Sequence, residues 1–244
     1  NASFVVALSP GMLNGVIKYI PKEKTAMIPN MAKIDKFWPR ACNFQLMKEL
    51  QLSPDTFKVI HFGALGLANG VDKVIDAIEL IKNDSTLEFI FLGGGSTELD
   101  LKQRCKMLKI KNVKFLGSFS MDKTSEIVNF CDVSLVSFKD LSILYTNSPN
   151  KLFDSLSAGK PIIVNSAGWT KELVEENNCG MYVNPNKPEE LINSIKYLQK
   201  NPQIIKQMGL NSRQLAEQKF DKSILSKKFS EVVNNINLKK MESY

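Results

Sequence analysis

The 244-residue chain is 43% hydrophobic and 23% charged, which supplies apolar surface for one substantial core and excludes a disordered or fibrous polypeptide. Its apolar runs, such as Phe89 to Leu92 and Pro161 to Val164, fall short of the roughly 20 residues that a membrane-spanning helix needs. The net charge of +7 is carried by lysines spread along the chain and denser at Lys18 to Lys36 and Lys222 to Lys240; a solvated face is the ordinary reading, peripheral contact with an anionic membrane the sharper one, and the lack of interleaved aromatics or a recognition motif argues against nucleic acid.

The first residue is Asn1, and Phe4 to Leu8 reads as a buried strand with no charged leader or cleavage-site pattern before it. This predicts a start inside a longer polypeptide. Ser9-Pro10-Gly11 closes that strand, Ala26 to Ile28 resembles another stopped by Pro29-Asn30, and Phe37, Trp38 and Pro39 precede an irregular link. Residues 1 to 40 are therefore expected to be the tail of a preceding domain with its interdomain link.

From Lys58 onward, short β-rich runs alternate with helical periodicity. Val59 to Phe62 precedes a helix with Val71, Val74, Ile75, Ile78 and Ile81 on one face, and Leu87 to Leu92 precedes Glu98 to Leu108. Strands follow at Val113 to Leu116, Val133 to Ser137, Pro161 to Val164 and Gly180 to Val183, with helices predicted at Lys123 to Phe130, Pro149 to Ala158, Lys171 to Glu176, Glu189 to Gln199 and Gln203 to Phe220. Six strands in strict alternation predict an α/β fold, a doubly wound, Rossmann-like parallel sheet over residues 41 to 220. Residues 221 to 244 are expected to form a last helix, predicted at Ser223 to Asn237. Its apolar stripe of Ile224, Leu225, Phe229, Val232, Val233 and Ile236 would pack back on the absent domain. Four cysteines, Cys42, Cys105, Cys131 and Cys179, lack zinc-site or redox spacing and suit a reducing cytoplasm.

In such a sheet ligands bind beyond the carboxyl ends of the strands, and most glycines stand in the loops there: Gly63 to Gly70, Gly93 to Gly95, Gly117 to Phe119 and Asn165 to Trp169. Glycine lets backbone N–H groups approach anionic oxygens, as a phosphorylated ligand requires. The loop Ser148-Pro149-Asn150-Lys151-Leu152-Phe153-Asp154 adds an abrupt helix start, with Ser148 expected as N-cap and Pro149 at the first helical position. The helix N-terminus and Lys151 supply positive charge. Lys151 and Asp154, three apart, are placed to point into the site together. Alone, the two could equally be an exposed surface pair, His61 reads best as a core or edge histidine, and Trp169 as packing or a ligand-facing wall.

The stretch from Ser148 to Pro161 resembles the donor-site motif of the family 4 glycosyltransferases, retaining enzymes of the GT-B fold, in particular the bacterial subgroup that builds capsule and O-antigen polysaccharides. His61 to Gly66 with Asn69 to Asp72, Phe91 to Gly95, Val113 to Phe119 and Ala167 to Glu172 with Cys179-Gly180 are similar to four further segments of that family in the same order. Ser9-Pro10-Gly11 and Ile28-Pro29-Asn30 resemble the end of its N-terminal domain and the link.

The resemblance implies the C-terminal, nucleotide-sugar-binding half of such an enzyme, with a donor site at Gly63, Leu65, Gly66, Asn69, Gly93, Gly95, Gly117, Ser118, Phe119, Thr146, Ser148, Pro149, Asn150, Lys151, Leu152, Asp154 and Gly168. By position Asp154 would hold the ribose hydroxyls, where the family usually has Glu, and Lys151 would neutralise the leaving diphosphate. Two departures bear on the donor. Thr146 stands where the family has an acidic residue eight positions earlier, and Ala64 and Asn69 replace its two phosphate-loop cations. The donor is expected to be a nucleoside-diphosphate sugar, UDP-linked, and the acceptor a saccharide or polyprenyl-linked saccharide, with no cofactor and no metal. The absent N-terminal domain is the implied partner, without which the fragment would be inactive. A nicotinamide-dependent dehydrogenase lacks its G-x-G-x-x-G spacing here; a GT-B-fold nucleotide-sugar epimerase and a non-catalytic nucleotide-binding module remain as alternatives.

Overall fold

The computed structural model describes residues 2–241, with side chains described to residue 236. Two short strands, β1 (Val5–Ala7) and β2 (Thr25–Met27), pair in parallel around α1 (Pro10–Val16). After the link comes a helix that the sequence reading passes over as irregular, α2 (Phe44–Glu49), capped by the Asn43 side chain accepting from the Leu46 N–H. The alternation then runs β3 (Phe57–Phe62), α3 (Val71–Glu79), β4 (Leu87–Leu92), α4 (Glu98–Met107), β5 (Val113–Gly117), α5 (Met121–Asn129), β6 (Val133–Val136) and α6 (Asn150–Ser157). It ends with β7 (Ile162–Val164), α7 (Trp169–Glu176), β8 (Gly180–Tyr182), α8 (Pro188–Lys200), α9 (Pro202–Leu215) and α10 (Lys222–Met241).

The six strands β3 to β8 form one parallel sheet in the order β5-β4-β3-β6-β7-β8. The expected doubly wound fold is what the chain adopts. Alternate side chains of each strand serve opposite faces. Val59, Phe89, Phe91, Val133, Leu135 and Ile163 pack with α3, α4 and α8. On the other face, Ile60, Phe62, Ile90 and Leu92 meet α2 and α5, while Val136, Ile162 and Val164 meet α6, α7 and α9. Each such aliphatic or aromatic side chain stabilises the fold by roughly 1.5–3 kcal/mol when fully buried. Strand order reverses between β3 and β6, so the crevice of the fold opens where these two strands end.

Two expectations need correction. Helix α6 begins at Asn150 with Pro149 as its N-cap and no side-chain cap, so Ser148 is not the cap. Its hydroxyl faces the link, accepting from the Asn30 N–H at 3.5 Å, while the Asn30 amide donates to the Ser148 carbonyl. The helix predicted at Gln203 to Phe220 is continuous, α-helical to Leu215 and π-helical over Ala216–Phe220. The lysines are also not uniformly solvated. Lys58 is 2% exposed and donates to the Thr56 carbonyl at 2.8 Å; the Lys160 ammonium donates to the Cys131 carbonyl at 2.7 Å. In the second basic group, the side chains of Lys239 and Lys240 lie outside the described residues. Of the apolar stripe on α10, Leu225 is buried, whereas Ile224, Phe229 and Val233 are exposed.

Candidate functional site

At the carboxyl ends of β3, β4 and β5 the chain makes three tight turns that interlock through backbone. The Gly63 N–H donates to the Leu92 carbonyl at 2.8 Å, and the Gly93 N–H to the Gly117 carbonyl at 2.7 Å. Gly93, at φ +129°, lies so close to the first turn that a Cβ there would sit 2.0 Å from the Gly63 carbonyl oxygen. Only glycine fits such a backbone-on-backbone approach. The turns thus form the floor of an open crevice of about 550 Å³, lined by Phe62, Gly63, Ala64, Leu92, Gly93, Gly94, Ser118, Phe119, Met121 and Thr124, with Phe37 of the link and Asp154 of α6.

Helix α6 brings its two charged residues to this floor by different routes. Lys151, in the first turn, crosses the point where strand order reverses. Its Nζ lies 2.9 Å from Nε2 of His61 on β3 and 3.0 Å from Oδ1 of Asn69, beneath Gly63, where a Cβ would stand 3.5 Å from the Lys151 Cε. The ring of Phe138 lies 5.7 Å from the amine. Burial pushes the Lys151 amine down to about 7, so a modest anionic neighbour suffices to keep it charged. Asp154, one turn further and 7% exposed, faces the crevice but pairs with Lys33 rather than with Lys151. Burial raises its carboxyl above the ordinary range, and Lys33 opposes the rise.

The structure thus gathers Gly63, Gly93, Ser118, Phe119 and Asp154 into one crevice, with Lys151 beside Gly63 and bonded to Asn69. Others of the expected set sit elsewhere. Leu65 is fully buried in the core, and its backbone is engaged with Gly94 and Thr97; Leu152 is also buried in the core. Gly95 abuts the Leu65 carbonyl and Gly168 the Tyr145 carbonyl, both close backbone packings. Gly66 borders a separate depression with Thr97, Asp100 and Arg104. Gly117, at φ +73°, has open space beside it. Thr146 lies against the N-terminal segment, its carbonyl accepting from the Ser9 hydroxyl, Ser148 is held by Asn30, and Asn150 is exposed. His61 is a core residue, 1% exposed, against Phe91 at 6.0 Å.

The sequence reading missed Lys33 and Phe37. Both stand more than a hundred positions before α6, and no local periodicity marks Phe37 as a wall of the crevice or Lys33 as the partner of Asp154.

An arrangement of backbone turns, a buried cation and a carboxylate suits a phosphorylated ligand with a diol. The chain is 24% identical over 174 residues to the probable glycosyltransferase WbjE of Pseudomonas aeruginosa, covering 70% of this chain and 42% of that protein. It is 24% identical over 235 residues to the putative colanic acid biosynthesis glycosyl transferase WcaI of Escherichia coli, covering 94% and 56%. Among solved structures, the Anabaena protein HepE in complex with UDP and glucose superposes with a TM-score of 0.80 at 24% identity, over 96% of this chain and 63% of that one. The chain spans about half the length of the curated relatives it matches. The family model described as glycosyl transferases group 1 matches residues 43–215, which hold all six strands of the larger sheet, and the chain belongs to that family.

Proposed function

We propose that this chain is the donor-binding half of a retaining family 4 glycosyltransferase, which moves a sugar from a nucleoside diphosphate to a saccharide or lipid-linked acceptor in cell-surface polysaccharide synthesis. The observation that carries the reading is the glycine floor at the reversal of strand order, with Asp154 lining it and Lys151 packed beside Gly63. The relatives' names, which include colanic acid synthesis, and a UDP complex of a protein with the same fold support it.

In this reading the diphosphate rests on the turns of Gly63 and Gly93, and the Lys151 amine, with the N-terminus of α6, offsets the charge that develops as the nucleoside diphosphate leaves the anomeric carbon. Asp154 accepts hydrogen bonds from the ribose diol once Lys33 yields or shares it. Displacement proceeds without a bound metal. The nucleotide is UDP, and the transferred sugar an N-acetylated hexose. The acceptor and remaining catalytic groups belong to a preceding domain in the same polypeptide, against which the exposed residues of α10 pack, at the inner face of the cytoplasmic membrane.

Calorimetric titration with UDP, GDP, ADP and NAD tests the reading. UDP binding that Lys151→Met and Asp154→Asn each weaken is the expected result. Exclusive binding of NAD, or nucleotide binding that ignores both substitutions, overturns it. Residues 1–244 alone are expected to transfer no sugar.

A further inference from the structure

His61 is the sole histidine of the chain, and the proposed chemistry gives it no task. It closes β3 one residue before the floor begins, almost fully buried. Its Nε2 lies 2.9 Å from the Lys151 amine, while Nδ1 is buried without a hydrogen-bond partner among the described residues. Burial, and then the charge of Lys151, hold the imidazole well below the ordinary histidine range, so the ring is neutral and one nitrogen is free to accept. An ammonium offers only donors. Nε2 is therefore the acceptor, and the ring proton resides on Nδ1.

The remaining contacts of the amine are Asn69 Oδ1 and the Phe138 ring, and Lys151 forms no ion pair with the described residues. Two neutral acceptors on separate elements thus restrain a side chain that otherwise has large rotamer freedom, without consuming its charge. A carboxylate in place of His61 would hold the amine as firmly but would neutralise it and repel a phosphate. We propose that His61 is a positioning residue that, through Nε2, holds the Lys151 amine beneath Gly63, so that the anionic end of a donor meets an amine already aimed at it.

The proposal rests on the donor reading, and a sole imidazole allows the two to be tested apart. In nitrogen-15 spectra of histidine-labelled protein, between about pH 5 and pH 7, where a free imidazole titrates and the Lys151 amine is charged, the ring is expected to stay in the Nδ1–H form. Its Nε2 resonance should move on Lys151→Met and on saturation with UDP. His61→Leu should weaken UDP about tenfold, as loss of a hydrogen bond to a charged group does, but weaken UMP, which lacks the terminal phosphate, less than about twofold. His61→Gln, whose amide oxygen can reach the amine, should recover most of the loss. An Nε2–H ring indifferent to Lys151→Met overturns the proposal, as does equal loss of UDP and UMP in both variants; should His61→Leu fail to fold, the wild-type spectra and the Gln variant decide. If UDP, GDP and ADP all fail to bind while the ring still responds to Lys151→Met, the donor reading falls and the hold of His61 on Lys151 stands.

Discussion

Lys33 and Asp154 stand 121 positions apart in the chain and meet at the crevice, Nζ 3.3 Å from Oδ1 and 3.4 Å from Oδ2. A segment before the sheet thus supplies the counter-ion for the carboxylate that we propose holds the ribose. Burial raises the Asp154 carboxyl, and the Lys33 cation limits the rise. Lys33→Met removes the lowering influence, so the acid limb of UDP binding is expected to move to higher pH. Calorimetric affinities measured across the acid range for wild type and variant check this; coincident limbs would show that Lys33 does not tune the carboxylate.

Lys151→Met is expected to weaken UDP by about 1.5–3 kcal/mol, the worth of a hydrogen bond to a charged group, or roughly tenfold to a hundredfold. Because the free amine is held down to about 7 and a diphosphate favours its charged form, binding at a pH above 7 should take up a proton at this site. Titrations in buffers of different ionisation enthalpy measure that uptake, and it should vanish in the Met variant.

The same group gives stability a pH slope of known sign. In the unfolded chain the lysine keeps its ordinary 10.5, whereas in the fold it falls to about 7. Between those values the unfolded state binds more protons, so this residue's contribution to stability improves as pH rises across the window and is poorest at and below neutrality. Replacing Lys151 with Met should remove that part of the slope. Urea denaturation at pH values spanning the window, for both proteins, provides the comparison.

Gly93→Ala should damage the floor more than Gly117→Ala. The first Cβ would meet the Gly63 carbonyl oxygen at 2.0 Å, which forces two turns apart and is expected to cost at least the roughly 1–3 kcal/mol of overpacking, together with UDP binding. The second meets open space at φ +73° and should cost only the about 1–2 kcal/mol of a left-handed non-glycine residue. Thermal denaturation and UDP titration of both variants separate the cases.

Much of the sheet was legible in the sequence because its signals are local. Leu87 to Leu92 is apolar throughout and forms β4 with those bounds, and the 3.6-residue stripe Val71, Val74, Ile75 and Ile78 is the buried face of α3. Glycines in the post-strand loops similarly announced the floor, since each answers to the backbone of its own turn. What the chain did not disclose depends on long-range pairing. Lys151 and Asp154 were expected to point into the site together, but nothing local shows that each takes its partner from another element, His61 with Asn69 in one case and Lys33 in the other. Ser148 has the chemistry of a cap, but Asn30 captures its carbonyl and faces its hydroxyl, so Pro149 starts the helix uncapped by a side chain.

The segment before β3 is fastened to the approach of α6 at three successive points, Ser9 to the Thr146 carbonyl, Asn30 to the Ser148 carbonyl and Lys33 to the Asp154 carboxylate. Such a row of polar stitches makes the helix tip the terminus of a mechanical linkage. A displacement of residues 9 to 33 would therefore act on Thr146, Ser148 and Asp154 together.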